Sequence, residues 1–73
     1  MALEKVVMPM VGKILKVETE VGAEVKEGDV LLMFESMKLE MPLTAPLSGK
    51  VVEVSAEAGK VAEAGDVVAS IEY

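Results

Sequence analysis

Glu35-Ser36-Met37-Lys38-Leu39-Glu40 occurs once in this chain of 73 residues, while the sequence on either side of it occurs twice. Met8 to Glu35 aligns with Ala45 to Glu72 at a constant shift of 37 residues, with no gap. Pro9 falls on Pro46, Gly12 on Gly49, Lys13 on Lys50, Val17 on Val54, Gly22 on Gly59, Gly28 on Gly65, Asp29 on Asp66 and Val30 on Val67. Shared glycine spacing implies a shared backbone path, because glycine marks places where the chain turns tightly or enters left-handed conformations. Two copies of one strand-turn-strand unit, residues 8–35 and 45–72, are therefore joined through a single connection, and the whole chain 1–73 reads as one domain.

Outward from that connection every segment reads as strand or turn. Glu4 to Met8 is a short strand that stops at Pro9, which cannot donate to a ladder. In Lys13 to Thr19, Leu15 and Val17 alternate with Lys16 and Glu18, the period-2 pattern of a half-buried strand. The second copy predicts the same, with Val52 and Val54 inward and Glu53 and Ser55 outward. Gly22 to Asp29 is turn material with Val25 as its anchor into the core. In Val30 to Glu35 the alignment predicts Val30, Leu32 and Phe34 inward with Val67, Ala69 and Ile71, and the side carrying Met33, Glu35, Ser70 and Glu72 exposed. Leu39 to Leu43 returns as a strand limited by Pro42 and Pro46. No segment carries the spacing of an amphipathic helix. The expectation is an all-β domain of six to eight short strands, packed as two small antiparallel sheets about an approximate two-fold axis.

Composition narrows the function. A chain this short buries only about 60% of the surface its unfolded form exposes, and it has no cysteine and no histidine to build a disulfide or a zinc site. Thirteen valines with 3% aromatic residues imply an aliphatic core. The formal charge of −6 argues against nucleic acid, which requires lysine and arginine to displace counterions from phosphate. No apolar run is long enough to cross a bilayer and no signal peptide is recognisable, so no direct membrane insertion and a cytoplasmic location are expected.

The connection itself reads as a hairpin. Glu35 and Glu40, and Ser36 and Leu39, flank Met37-Lys38 evenly, which puts Met37 and Lys38 at the tip of a two-residue turn. That is poor turn chemistry, since tight hairpins favour Asn-Gly, Asp-Gly or other glycine-containing pairs. The same register sets two carboxylates opposite each other. A place where local rules fail without compensation is a candidate functional site. Read as residues alone, Lys38 is equally one of seven basic side chains in solvent and Met37 ordinary core. Glu35 and Glu40 read as surface charges rather than an acid-base pair. No nucleophile with a base, metal cluster or phosphate loop is present elsewhere, so no catalytic residue and no metal ligand is assigned.

This hexapeptide resembles the Glu-Ala-Met-Lys-Met-Glu signature of biotinyl carrier domains, the biotin carboxyl carrier proteins of biotin-dependent carboxylases, decarboxylases and transcarboxylases. Glu35, Met37, Lys38 and Glu40 agree with it, while Ser36 stands where alanine is usual and Leu39 where methionine is usual. The resemblance extends to Pro9-Met10-Val11-Gly12-Lys13, to the pairs Gly28-Asp29 and Gly65-Asp66, to Ala45-Pro46-Leu47-Ser48-Gly49 and to the duplication itself. It implies a flattened β-barrel of two four-stranded sheets, a barrel-sandwich hybrid, with Lys38 as the site of covalent biotin attachment at an exposed hairpin. Met37 and Leu39 would be flanking recognition residues, with Glu35 and Glu40 as contacts to the ligase or another partner. The implied partners are a biotin protein ligase and the biotin carboxylase and carboxyltransferase, or decarboxylase, subunits between which the arm shuttles a carboxyl group. The chain itself would be a carrier and not an enzyme.

Two other readings share this fold. Lipoyl carriers use the same swinging-arm logic, but typically carry Asp-Lys-Ala at the tip, where this chain has Met37-Lys38-Leu39. Unmodified barrel-sandwich units, as in membrane-fusion adaptor proteins, have no requirement for Met-Lys at the turn.

Overall fold

A computed structural model describes all 73 residues. Its eight strands are β1 (Leu3–Val7), β2 (Gly12–Val17), β3 (Glu24–Val25), β4 (Val30–Ser36), β5 (Leu39–Thr44), β6 (Gly49–Val54), β7 (Val61–Ala62) and β8 (Val67–Glu72). They form two antiparallel four-stranded sheets, ordered β1-β8-β6-β3 and β5-β4-β2-β7. The all-β expectation holds, and with it the two-sheet architecture.

The 37-residue shift recurs in the hydrogen bonds, and those bonds interlock the two halves. Gly22 N–H donates to the Val51 carbonyl at 2.8 Å, and Gly59 N–H to the Ile14 carbonyl at 2.8 Å. Gly28 N–H donates to Ala45 and Gly65 N–H to Met8, both at 2.9 Å. Each turn therefore closes onto the other copy rather than its own. Gly28 and Gly65 do so with φ of 93° and 89°, a region in which L side chains are strained. Beside them Asp29 Oδ2 accepts from Lys26 N–H, and Asp66 Oδ2 from Glu63 N–H, each at 2.8 Å. These are local side-chain turns that satisfy backbone donors which the short strands leave free.

The core between the sheets has the same symmetry. Met8 and Ala45, Ile14 and Val51, Leu31 and Val68, Leu32 and Ala69, and Phe34 and Ile71 are buried as equivalent pairs. Val25 is buried as expected, while its equivalent Ala62 is only partly so. Full burial of side chains of this size stabilises by about 1.5–3 kcal/mol each, which is how a chain without disulfide or metal holds together.

The inward and outward assignments need correction at several positions. Ladder register shifts fall between Ile14 and Lys16, between Val30 and Leu32 and between Val51 and Glu53, and β8 skips Val68 in its pairing with β1. An extra residue in one strand of a pair reverses the alternation beyond it. Ile14 and Val51 are thus the buried residues of their strands; Leu15 is half-buried and Val52 exposed. Val30 and Val67 face solvent, Leu31 and Val68 are buried in their place, and Ser70 is buried rather than exposed. Ser70 Oγ offsets that burial by donating to Glu53 Oε1 at 3.1 Å. Strand β5 also runs through Pro42, because β5 lies at the edge of its sheet and proline there leaves no internal bond unmade.

Strand β4 starts beside the Gly28–Ala45 contact, near the pairings Val25 with Gly49 and Lys50 with Glu72, and runs away from them. The chain ends pair there, Ala2 N–H to the Tyr73 carbonyl at 2.8 Å and Tyr73 N–H to the Ala2 carbonyl at 2.9 Å. The β4–β5 turn lies at the opposite end of a molecule 37 Å long and 18 by 16 Å across.

Candidate functional site

Strands β4 and β5 pair in the register read from the sequence, Glu35 with Glu40 and Ser36 with Leu39. Met37 and Lys38 are left as the two turn residues. Both have positive φ, 52° and 65°, and they are the only residues other than glycine that do. Positive φ at both central positions is the requirement of a type I′ turn, whose twist matches that of the flanking strands. For residues with a Cβ the left-handed conformation costs about 1–2 kcal/mol each. The six pairings of the β4–β5 ladder hold the turn in place against that strain.

The tip is convex and open. Met37 is 82% exposed and Leu39 63%, so neither packs into the core, and Lys38 is exposed between them. Ser36 beneath them is buried, 8% exposed, which fits a small side chain where the hairpin enters the body of the fold. The only ion pair in the molecule joins Lys16 Nζ to Glu18 Oε1 at 3.4 Å, so the Lys38 amine has no carboxylate partner. None of the three surface depressions includes a residue between 35 and 40. No cluster of three or more carboxylates could hold a metal ion.

The five residues singled out in the sequence are thus brought to one end: Lys38 and Met37 in the turn, Leu39 and Glu40 on β5, Glu35 on β4. The structure adds Lys13. It pairs with Glu35 on one side and with Val61 of β7 on the other, so Glu40, Glu35, Lys13 and Val61 form one cross-strand row beneath the tip. Residues directly opposite in a sheet share a face. The shift of 37 already matched Lys13 with Lys50, but pairing between β2 and β7 is non-local and leaves no mark in the sequence.

Chemically, the arrangement offers a primary amine on a rigid, solvated turn, with no general base and no enclosing cavity. A covalent acyl group on the Lys38 amine meets no steric obstacle in such a turn.

A family model described as "Biotin-requiring enzyme", for biotin and lipoyl attachment, matches residues 4–71. No curated protein sequence matches the chain. Among solved structures it is similar to the urea carboxylase of Kluyveromyces lactis, with 36% identity over 99% of this chain and a TM-score of 0.90. It is also similar to a single-chain, multi-domain long-chain acyl-CoA carboxylase, with 26% identity over 93% of this chain and a TM-score of 0.86. The chain spans 6% and 7% of the length of those two proteins.

Proposed function

This chain belongs to the biotin/lipoyl attachment family of biotin-requiring enzymes and is a biotin carboxyl carrier domain, not itself a catalyst; from that premise we propose that Lys38 is the residue that takes biotin, through an amide bond to its Nζ. The observation that carries the assignment is Lys38 at the second position of an exposed type I′ turn, the one place where the backbone tolerates positive φ without glycine. Six other lysines lie on the chain, and none sits in a strained turn.

The chain's own contribution is placement. The β4–β5 ladder fixes the Lys38 backbone, so the arm's mobility begins at the side chain. The exposed tip lets a biotin protein ligase approach, and because the domain has no base near the amine, the ligase removes the ammonium proton as the amine attacks the acyl carbon of biotinyl-adenylate, forming the amide and releasing AMP. Met37 and Leu39 present apolar surface on either side of the lysine, and Ser36 leaves the base of the turn small. Bound biotin supplies the carboxyl-carrying chemistry that no side chain here can perform. In a larger carboxylase, decarboxylase or transcarboxylase assembly, tethering converts encounters between arm and active site into an intramolecular event at high effective concentration. Ligase, carboxylase and carboxyltransferase or decarboxylase components are the partners this reading requires, with the cytoplasm as its setting.

Intact mass spectrometry after coexpression with a biotin protein ligase tests the assignment. One biotinyl group on wild-type protein, none on Lys38→Arg, and a change in formal charge from −6 to −7 are expected. Wild-type protein that remained unmodified, or Lys38→Arg that was still modified, would refute it. A lipoyl group added by a lipoyl ligase in place of biotin would refute it equally.

A further inference from the structure

Hydroperoxides oxidise sulfur, and all the sulfur of this chain is in thioethers, since it has six methionines and no cysteine. Whether each methionine reacts depends on whether its sulfur meets solvent. The fold sorts the six. Met8 is 1% exposed in the core, and Met10 and Met41 are packed against that core. Met33 is half-buried on β4 between Lys16 of β2 and Pro42 of β5. Met1 is fully exposed beside the paired chain ends, at the end of the molecule opposite the hairpin. Met37 alone is both exposed, at 82%, and held within a structured element. Ser36 pairs with Leu39 directly beneath it, so the ladder keeps Met37 at the crest of the turn, beside Lys38 and away from the core.

Given Lys38 as the acylated residue, we infer that Met37 is a site of reversible oxidation by hydroperoxides and that its sulfoxide holds back the loading of Lys38. The Met37 sulfur attacks the hydroxyl oxygen of the peroxide with an electron pair. An S–O bond forms as the O–O bond breaks, and the displaced oxygen takes up the proton of the transferred hydroxyl and leaves as water or an alcohol. Sulfur is oxidised by two electrons and the peroxide is reduced by two. A methionine sulfoxide reductase restores the thioether.

Oxidation leaves the charge of the chain as it was and changes the polarity of its tip. An acyl donor reactive enough to acylate an amine is also open to hydrolysis, so the site in which Lys38 reacts is closed to water, and the side chain beside the amine is closed in with it. As a thioether, Met37 enters that site as a flexible apolar group that adapts to the space it is given. As a sulfoxide it carries a strongly polar oxygen, which is costly to bury without a hydrogen-bond donor opposite it. The amide, once made, is untouched. Oxidation therefore holds back unloaded carrier and does not strip biotin from loaded carrier. Met37 contributes almost no buried surface, so an oxygen there leaves the melting temperature unchanged, whereas an oxygen on Met8 would open the core.

The test treats unbiotinylated protein with hydrogen peroxide until about half has gained one oxygen, removes the peroxide and adds a biotin protein ligase with its substrates. Peptide mass spectrometry locates the oxygen, and oxidised and unoxidised molecules compete for the ligase in one tube, which gives their ratio of kcat/KM. Met37 and Met1 are expected to gain oxygen first and Met8 last. Oxygen on Met37 should be depleted about tenfold among the first molecules to take biotin, at unchanged Tm, and treatment with reductases for both sulfoxide epimers should abolish the depletion. Met37→Leu, in which oxygen goes to Met1, is the control. Its oxidised and unoxidised molecules should take biotin at one rate, whatever that rate is. Oxygen on Met33 or Met41 ahead of Met37, no depletion at Met37, or an equal depletion in Met37→Leu would overturn the inference while leaving Lys38 as the biotin site. A fall in Tm alongside the depletion would do the same, because it would trace the loss to unfolding. Untreated wild-type protein that took no biotin would overturn the carrier assignment, and this inference with it.

Discussion

The positive φ of Met37 and Lys38 predicts that the tip is the least stable conformation in the fold and that stability can be gained there without touching the core. Met37 is 82% exposed and Lys38 is exposed as well, so replacing either removes almost no packing. What changes is the left-handed penalty, about 1–2 kcal/mol for a residue with a Cβ. Glycine escapes it but loses roughly 0.5–1 kcal/mol through the greater freedom of its unfolded chain. Asparagine is enriched in this region and escapes part of it. Lys38→Gly and Met37→Asn should each stabilise by about 0.5–1 kcal/mol, and the double variant, an Asn-Gly type I′ turn, by about 1–2 kcal/mol. For a domain of this size a gain of 1 kcal/mol raises Tm by about 4–8 °C. Far-UV circular dichroism or calorimetry is the suitable assay, because the chain has no tryptophan and its one tyrosine is the last residue. Met37→Ala and Lys38→Ala serve as controls, since alanine shares the left-handed penalty; both should melt with wild type. If the asparagine and glycine variants melted no higher than the alanine variants, the turn would be unstrained and the reasoning wrong.

Other substitutions test the body of the fold. A Cβ at Gly49 would meet the Glu72 carbonyl oxygen and, at 2.7 Å, Ile71 Cγ2, so Gly49→Ala should destabilise by about 2 kcal/mol or more. Gly65→Ala meets nothing within 4 Å and should cost only about 1 kcal/mol from its φ of 89°; equal losses in urea melts would contradict the difference. Ala62 takes the place of Val25 and lines a depression of about 190 Å³ with Ile14, Ala56 and Val68. Ala62→Val should therefore stabilise by about 0.5–1 kcal/mol, and a lower Tm would show that the space is not available to it. Pro42→Val restores an N–H to the free edge of β5, and sedimentation should then detect self-association beyond that of wild type. Glu35→Gln should relieve the pairing with Glu40 by a few tenths of a kcal/mol, and unchanged biotinylation kinetics at low salt would remove any role for its charge in docking.

Much of this fold was legible because the sequence states it twice. Paired glycines located the turns, and the even spacing of Glu35, Ser36, Leu39 and Glu40 about Met37-Lys38 located the tip and its register. The facing of individual strands was less legible, for a specific reason. A bulge at Leu15 or Val52 is one more apolar residue in an apolar strand, and nothing local distinguishes it from a regular position. In Val30 to Phe34, continuous apolar character conceals the shift at Leu31 altogether. Alignment carried the same error into both copies, since their bulges are equivalent. Burial of Ser70 follows from that shift and from Glu53 on the neighbouring strand, a partner that lies 17 residues away. The row beneath the tip was illegible for another reason: Lys13 and Val61 come level with Glu35 only through the order β4-β2-β7.

Symmetry also explains why the strain can be kept where it is. Met37 and Lys38 have no counterpart in a duplicated body, because a shift of 37 carries them to the chain ends. They take no part in the equivalent buried pairs, so their conformation can be set without disturbing the core. The paired edges show the complementary case. Ser36 and Leu39 close the turn as a hydrogen-bonded pair, and alternation along the ladder leaves the backbone of Pro42 directed at the free edge of β5. Ala2 and Tyr73 exchange both bonds, and the same count directs the backbone of Lys5 at the free edge of β1. Lys5 and Pro42 are equivalent positions, and lysine and proline are the two residue types that most effectively discourage strand addition. Both sheets are thus guarded at the middle of an exposed edge, each by a residue that the duplication places at the same backbone position.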